Sequence, residues 1–263
     1  MTSDLRPILI GGCARSGTTL MLSILSAHPW ILAVPFETEA FCPGAYSAKP
    51  DLSAPFRPDI IENWMRGVTV PAQTRFWCEK TPKNVLFLGR ILEFFGSPVR
   101  FLTLVRDGRD VITSRHPRNP ERFWVSPERW IQDVGAGLPY DAHPMVLAVR
   151  YEDLVTDFRA TVGRVCTFLE IPSVESLNEW PRNATVGRHP AWFSNAGPIH
   201  PDSIGRWAAA EHRERIRNLM ERPKAVNLLK HYGYITGHRK AQGTRCKVQG
   251  KEEIIKETLD LEP

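Results

Sequence analysis

The chain has 263 residues, 42% apolar and 24% charged, with a formal net charge of +5 carried mostly by arginine. That length and balance suit a folded domain with a substantial core and exclude a disordered or collagen-like chain. No apolar run approaches the ~20 residues a membrane helix needs, and no dense Lys/Arg run or nucleic-acid module is present, so neither membrane nor nucleic acid is expected as a partner.

Residues 1–7 lack the apolar core of a secretory leader, and the first strand begins almost at once. Five scattered cysteines (13, 42, 78, 166 and 246) have no metal-ligand spacing. They read as reduced thiols of a cytoplasmic protein, with Cys13 a small buried filler.

The stretch from Ile8 to Leu20 (Ile-Leu-Ile-Gly-Gly-Cys-Ala-Arg-Ser-Gly-Thr-Thr-Leu) predicts a strand over 7–12, a tight loop and a helix over 17–27. Gly12, Gly17 and Thr19 keep the spacing of a phosphate-binding loop, but Thr18 stands where its lysine belongs. A helix N-terminus offers unpaired N–H groups and a partial positive charge to an anion. The cation nearest that anion is then Arg15, inside the loop. This points to a phosphate-like ligand and away from ordinary ATP chemistry.

Residues 35–58, with five prolines and little periodicity, read as a loop. A strand over 75–79 runs into a helix over 82–95 that opens with Pro82. A strand over 99–105 then leads to a helix over 107–115, with Arg106 at the strand end and Ser114 two helical turns on. Helices over 126–136 and 152–169 flank a strand over 145–150. Residues 178–203 carry four prolines, Gly187 and Gly197, and read as a lid. Helices over 208–221 and 223–231 close the fold, and the polar segment beyond Gly237 has a potential helix over 251–261.

Alternating strands and helices imply an α/β fold, a P-loop-like parallel sheet flanked by helices with irregular substrate or lid loops. Ligands of such sheets bind beyond the carboxyl ends of the strands, where Arg15 and Arg106 both fall. The chain reads as one domain over 1–236 followed by a polar tail over 237–263.

Together these segments resemble the 5′-phosphosulfate loop and the 3′-phosphate motif of sulfotransferases that use 3′-phosphoadenosine 5′-phosphosulfate (PAPS). Glu79-Lys80-Thr81-Pro82-Lys83-Asn84, Arg150-Tyr151-Glu152-Asp153-Leu154 and Ile204-Gly205-Arg206-Trp207 fit the same family in order, so the resemblance covers about 7–235. It implies that Arg15, with Ser16, Gly17, Thr18, Thr19 and Leu20, holds the 5′-phosphosulfate, and that Arg106, Ser114 and Arg206 hold the 3′-phosphate. Tyr151 would lie against the adenine or its ribose, and Ser194 would line the same site. Lys80 would stabilise the transferring group, the alternative being a structural salt bridge with Glu79 or a neighbour. No metal is expected, and family members often form homodimers.

Thr18-Thr19-Leu20-Met21, Ala27-His28-Pro29 and Glu37-Thr38 resemble the tyrosylprotein branch, which makes Glu37 the expected base and Glu39 its rival. His28 reads as structural, while His189 and His200 in the lid stay open as bases. The expected acceptor is a tyrosine in an acidic peptide. The alternatives are a carbohydrate, glycolipid or secondary-metabolite hydroxyl and, in another class, a P-loop kinase or NTPase, which Thr18 disfavours. Arg109 and Asp110 are weaker candidates, because helix capping and ion pairing alone also account for the Asp107-Gly108-Arg109-Asp110 turn.

Overall fold

The computed structural model describes residues 5–47, 51–116, 119–186, 199 and 201–236. Its elements in chain order are β1 (Arg6–Gly12), α1 (Thr18–Ser26), β2 (Ile31–Ala33), α2 (Asp59–Arg66), β3 (Phe76–Lys80), a 3-10 helix (Pro82–Phe87) and α3 (Leu88–Phe95). Next come β4 (Arg100–Val105), α4 (Gly108–Ile112), β5 (Arg115–His116), β6 (Asn119–Phe123), α5 (Pro127–Gly137) and β7 (Val146–Arg150). The described chain closes with α6 (Tyr151–Thr156), α7 (Phe158–Leu169), α8 (Glu175–Asn178), α9 (Trp180–Asn183), α10 (Arg213–Met220) and α11 (Pro223–His231).

Five strands form a parallel sheet in the order β2-β3-β1-β4-β7. In register, Ile8 pairs with Cys78, Leu9 with Phe101 and Leu104 with Val149. β2 and β3 lie on one side of β1, β4 and β7 on the other. The strand order therefore reverses beside β1, and a crevice opens beyond the carboxyl ends of β1 and β4.

Side chains alternate across the sheet, and both faces are covered, so the strands read as continuous apolar runs. Ile8, Ile10, Phe76, Cys78 and Leu102 pack with Met21, Leu22 and Leu25 of α1 and with Val162 and Val165 of α7. Leu9, Trp77 and Phe101 face the opposite layer, with Phe87, Leu88, Ile91 and the inward-folded Val34 and Phe41. A third cluster, including Val105, Val111, Trp130 and Leu229, supports the crevice from below.

Several expected elements differ in extent. The helix expected over 107–115 is only Gly108–Ile112, because Thr113 and Ser114 turn their hydroxyls back onto the carbonyls of Arg109 and Asp110 and the chain leaves as β5. The helix expected over 152–169 breaks at Asp157, whose φ of −135° is not helical. The segment over 82–95 begins as a 3-10 helix after Pro82, and that over 208–221 contains 3-10 turns before α10.

Elements also form where loops are expected. β2 is three residues long and gives little periodic signal. α2 falls where residues 35–58 run out, with Asp59 and Glu62 in its first turn and Arg66 in its last. Its Ile61, Trp64 and Met65, spaced three and four apart, pack on the core. Within the expected lid, residues 180–183 form a short helix, and α8 (175–178) ends at the lid's first residue; 187–198 and 200, with His189, Trp192, Ser194 and His200, lie outside the described residues, as do 237–263.

Candidate active site

β1 ends in Gly12, with φ +140°, where a Cβ would stand 2.3 Å from the Leu104 carbonyl oxygen. Only glycine allows this close crossing onto β4. The chain then turns through Arg15 at φ +73° and Gly17 at φ +89° before entering α1. Arg15 is a non-glycine residue held in the left-handed region, a conformation that costs free energy and clusters at functional sites. At Gly17 a Cβ would lie 2.7 Å from the Tyr151 ring.

α1 has no side-chain cap at Gly17 and no acidic residue in its first turn. Its first N–H groups and positive end are therefore left for a ligand. Ser16 is wholly buried, and its Oγ has no partner among the described residues.

Arg106 stands at the end of β4, 7% exposed. Its Nη1 donates to the Arg15 carbonyl (3.0 Å) and its Nη2 to the Ser203 carbonyl (2.6 Å), while Nε is buried without a partner. The guanidinium lies 4.3 Å from the centre of the Tyr151 ring, whose hydroxyl meets Ser203 Oγ at 2.7 Å. Arg15 reaches the exposed mouth, yet desolvation and then the charge of Arg106 hold its pKa below the ordinary guanidinium value. Among the described residues no carboxylate pairs with either arginine. Two unneutralised cations beside a helix N-terminus can hold a multiply charged anion.

These groups line a cavity of about 350 Å³. Arg15, Gly17, Thr18, Thr19 and Leu20 form one wall, with Arg106 and Tyr151 beside them. Glu37, Tyr46 and Pro82 face them, and Trp124 and Arg129 complete the lining.

Lys80, at the end of β3, is fully buried, and its Nζ donates to Glu37 Oε1 at 2.5 Å. Its ionic partner is thus Glu37, across the chain, and not the neighbouring Glu79. The Tyr46 hydroxyl donates to the other oxygen of Glu37 at 3.2 Å. Glu39 stands at φ +52°, and burial, followed by the charge of Glu37, raises its carboxyl pKa.

Ser114 and Arg206 do not line this cavity. The Ser114 hydroxyl donates to the Asp110 carbonyl (2.8 Å), and Arg206 Nε donates to the Asp202 carbonyl (2.6 Å). Arg206 nevertheless belongs to a stretch held beside the site, because Asp110 accepts from the N–H groups of Gly205 (2.8 Å) and Trp207 (3.0 Å). Asp107 caps α4 through the Arg109 N–H and pairs with the Arg109 guanidinium at 2.7 Å. His28 is buried between Trp30 and Pro172, in a structural role.

Sequence reasoning missed Tyr46, Trp124 and Arg129 as lining residues. Tyr46 sits in an aperiodic proline-rich stretch that carries no pattern. Arg129 had a faint signal, its spacing four residues before Asp133, which it meets at 3.4 Å beside the buried Lys83–Asp133 pair (2.7 Å).

Comparison with known proteins decides the family. A model described as "Sulfotransferase family" matches residues 7–176. The chain belongs to the sulfotransferase family.

The chain is 27% identical over 194 residues to a Caenorhabditis briggsae "putative protein-tyrosine sulfotransferase"; the match covers 62% of the chain and 65% of that relative's length. Among solved structures it is similar to the sulfotransferase domain of the Synechococcus PCC 7002 olefin synthase (TM-score 0.62, 20% identity, 89% of this chain and 97% of that one). It is also similar to mouse sulfotransferase SULT7A1 complexed with PAP (TM-score 0.58, 15% identity, 86% and 89%). At these identities the likeness is one of fold: a central parallel sheet flanked by helices.

Proposed function

We propose that the chain moves a sulfuryl group from PAPS to an acceptor hydroxyl, and that the acceptor is a tyrosine in an acidic peptide. The observation that carries the reading is one cavity lined by two guanidiniums with no paired carboxylate among the described residues, Arg15 and Arg106, beside the α1 N-terminus, and by Glu37, to which the fully buried Lys80, itself outside the lining, is paired. The donor supplies an activated sulfuryl group on a phosphate leaving group.

The residues fit such a donor. The buried, unpartnered Ser16 Oγ and Arg106 Nε are the kind of orphaned groups that a bound oxyanion satisfies. Arg15 and the first N–H groups of α1 would hold the 5′ end, and Arg106 the 3′-phosphate, with Ser114 and Arg206 as further candidates. Tyr151 offers its ring beside Arg106 for the nucleoside. Lys80 would place positive charge where it develops in the transition state. Glu37 would accept the proton of the attacking hydroxyl, a phenol whose pKa near ~10 falls as its oxygen attacks.

A hydroxyl on a small molecule is the second reading, and the apolar lining from Leu20, Tyr46, Pro82 and Trp124 favours it. The test is mass spectrometry of acidic tyrosine peptides, sugars and lipid alcohols incubated with PAPS, seeking a gain of one sulfate. Modified peptides support the first reading, and a modified small molecule with unmodified peptides supports the second. Calorimetry showing ATP bound as tightly as 3′-phosphoadenosine 5′-phosphate (PAP) would favour the NTPase class.

A further inference from the structure

The sulfuryl-transfer reading uses Lys80 and Glu37 but leaves the neighbouring Glu79 without a role. Glu79 is fully buried on β3, where an ionised carboxylate is costly unless hydrogen bonds satisfy it. Its Oε1 accepts from the Thr38 N–H (3.2 Å), the Thr38 hydroxyl (3.0 Å) and the Thr81 hydroxyl (2.5 Å), and its Oε2 accepts from Asn84 Nδ2 (2.7 Å).

The two threonine hydroxyls are themselves held by backbone N–H groups. Thr38 Oγ1 accepts from the Ala40 N–H (3.1 Å) and Thr81 Oγ1 from the Glu39 N–H (3.4 Å). Each hydroxyl receives a backbone N–H and keeps its own proton to give to Glu79, so all four contacts can be donors. These donors favour the carboxylate and oppose the burial that raises its pKa.

The two threonines are not arbitrary neighbours. Thr38 follows Glu37 in the chain, and Thr81 follows Lys80. One buried carboxylate therefore ties the irregular segment that carries Glu37 to the strand end that carries Lys80, segments more than forty residues apart.

We infer that Glu79 is the positioning residue of the site: through Thr38 and Thr81 it holds Glu37 and Lys80 against each other. The inference rests on the roles proposed above for those two residues. Misplacing a reacting group by about an ångström costs on the order of 10²-fold in rate, so loosening this tie should lower turnover while sparing donor binding.

The experiment measures PAP release from PAPS, with an acidic tyrosine peptide and with water alone as acceptor, alongside PAP affinity by calorimetry. Glu79→Gln keeps the shape, and the Asn84 amide can flip to meet it, since Asn84 Oδ1 is buried without a partner. Thr38→Val removes one tie without touching the carboxylate, and Thr38→Ser restores it.

Glu79→Gln and Thr38→Val should each lower kcat by roughly 10–10²-fold with PAP affinity and donor KM unchanged, and Thr38→Ser should recover most of the rate. Wild-type kcat in folded Thr38→Val, equal impairment in Thr38→Ser, or loss of PAP affinity in step with kcat would each overturn the inference. Glu37→Gln, run in parallel, separates the failures. If it is inactive while the tie variants are normal, only the positioning role falls; if it is itself normal, the assignment of the base falls and takes this inference with it.

Discussion

Lys80 and Glu37 form a contact in which the cation is wholly buried and the carboxylate is 29% exposed to the cavity, with Nζ and Oε1 2.5 Å apart. A buried ammonium needs a counter-ion, so the residue proposed to stabilise the transferring group also anchors the proposed base. The two functions are therefore coupled. Lys80→Met should lower kcat by about 10²–10³-fold, and Glu37→Gln by about 10²–10⁴-fold. In the double variant the losses should be far from additive, because the second change removes a partner already lost. A double variant whose loss is the product of the single losses would show that the pair does not act as a unit.

Tyr46 donates its hydroxyl to Glu37 Oε2, the oxygen left free by Lys80. A phenol thus already stands on the carboxylate that is to receive the acceptor's proton. An incoming hydroxyl has to displace it, which raises the cost of acceptor binding. Tyr46→Phe keeps the ring and removes the competing donor, worth about 0.5–1.5 kcal/mol net. Acceptor KM should fall severalfold while PAP affinity stays unchanged. A rise in KM would mean instead that the Tyr46 hydroxyl contacts the acceptor.

Asp110 fixes the stretch that carries Ser203 and Arg206 by accepting from the N–H groups of Gly205 and Trp207, while Arg109 stacks 4.0 Å from the Trp207 ring. Ser203 in turn contacts both Arg106 and Tyr151. Hydrogen bonds to a charged acceptor contribute roughly 1.5–3 kcal/mol, and Asp110→Asn removes that charge. Amide exchange at Gly205 and Trp207 should accelerate, and PAP should bind about tenfold more weakly. Unchanged exchange in Asp110→Asn would show that other contacts hold the stretch.

The sheet was legible because each buried strand leaves a continuous apolar run, and Arg15 and Arg106 because they follow such runs directly. Lys80 was legible for the same reason, being the last residue of β3. Its pairing with Glu37 was not: Glu37, named only through the family resemblance, lies in an aperiodic segment, and proximity across forty residues leaves no local pattern. Ser114 shows the opposite failure, since a helix expected to carry it for two turns ends at Ile112 and its hydroxyl turns to the Asp110 carbonyl. Tyr46 and the ties made by Glu79 depend on tertiary packing of that same segment, which neither period 2 nor period 3.6 reports.

His28 sits at the end of α1 and is 1% exposed. Its Nδ1 accepts from the Trp30 N–H (3.1 Å), which leaves the proton on Nε2, donated to the Pro172 carbonyl (3.0 Å). A second proton would have to sit on Nδ1, facing the Trp30 N–H. Burial lowers the pKa of this ring from its ordinary value, with the Pro172 contact opposing in part. A group whose folded pKa is depressed binds protons better in the unfolded chain, so its contribution is complete above the unfolded pKa of ~6.5 and is lost as pH falls from there towards the folded value. Urea unfolding should therefore show stability dropping as pH falls below the unfolded value of ~6.5, more steeply than in His28→Gln, which has no proton to take up. The comparison isolates this ring from Glu79, Asp110 and Glu152, whose burial-raised values act in the opposite sense and are common to both proteins. Parallel pH curves for the two proteins would show that the ring accepts its second proton without cost to the fold.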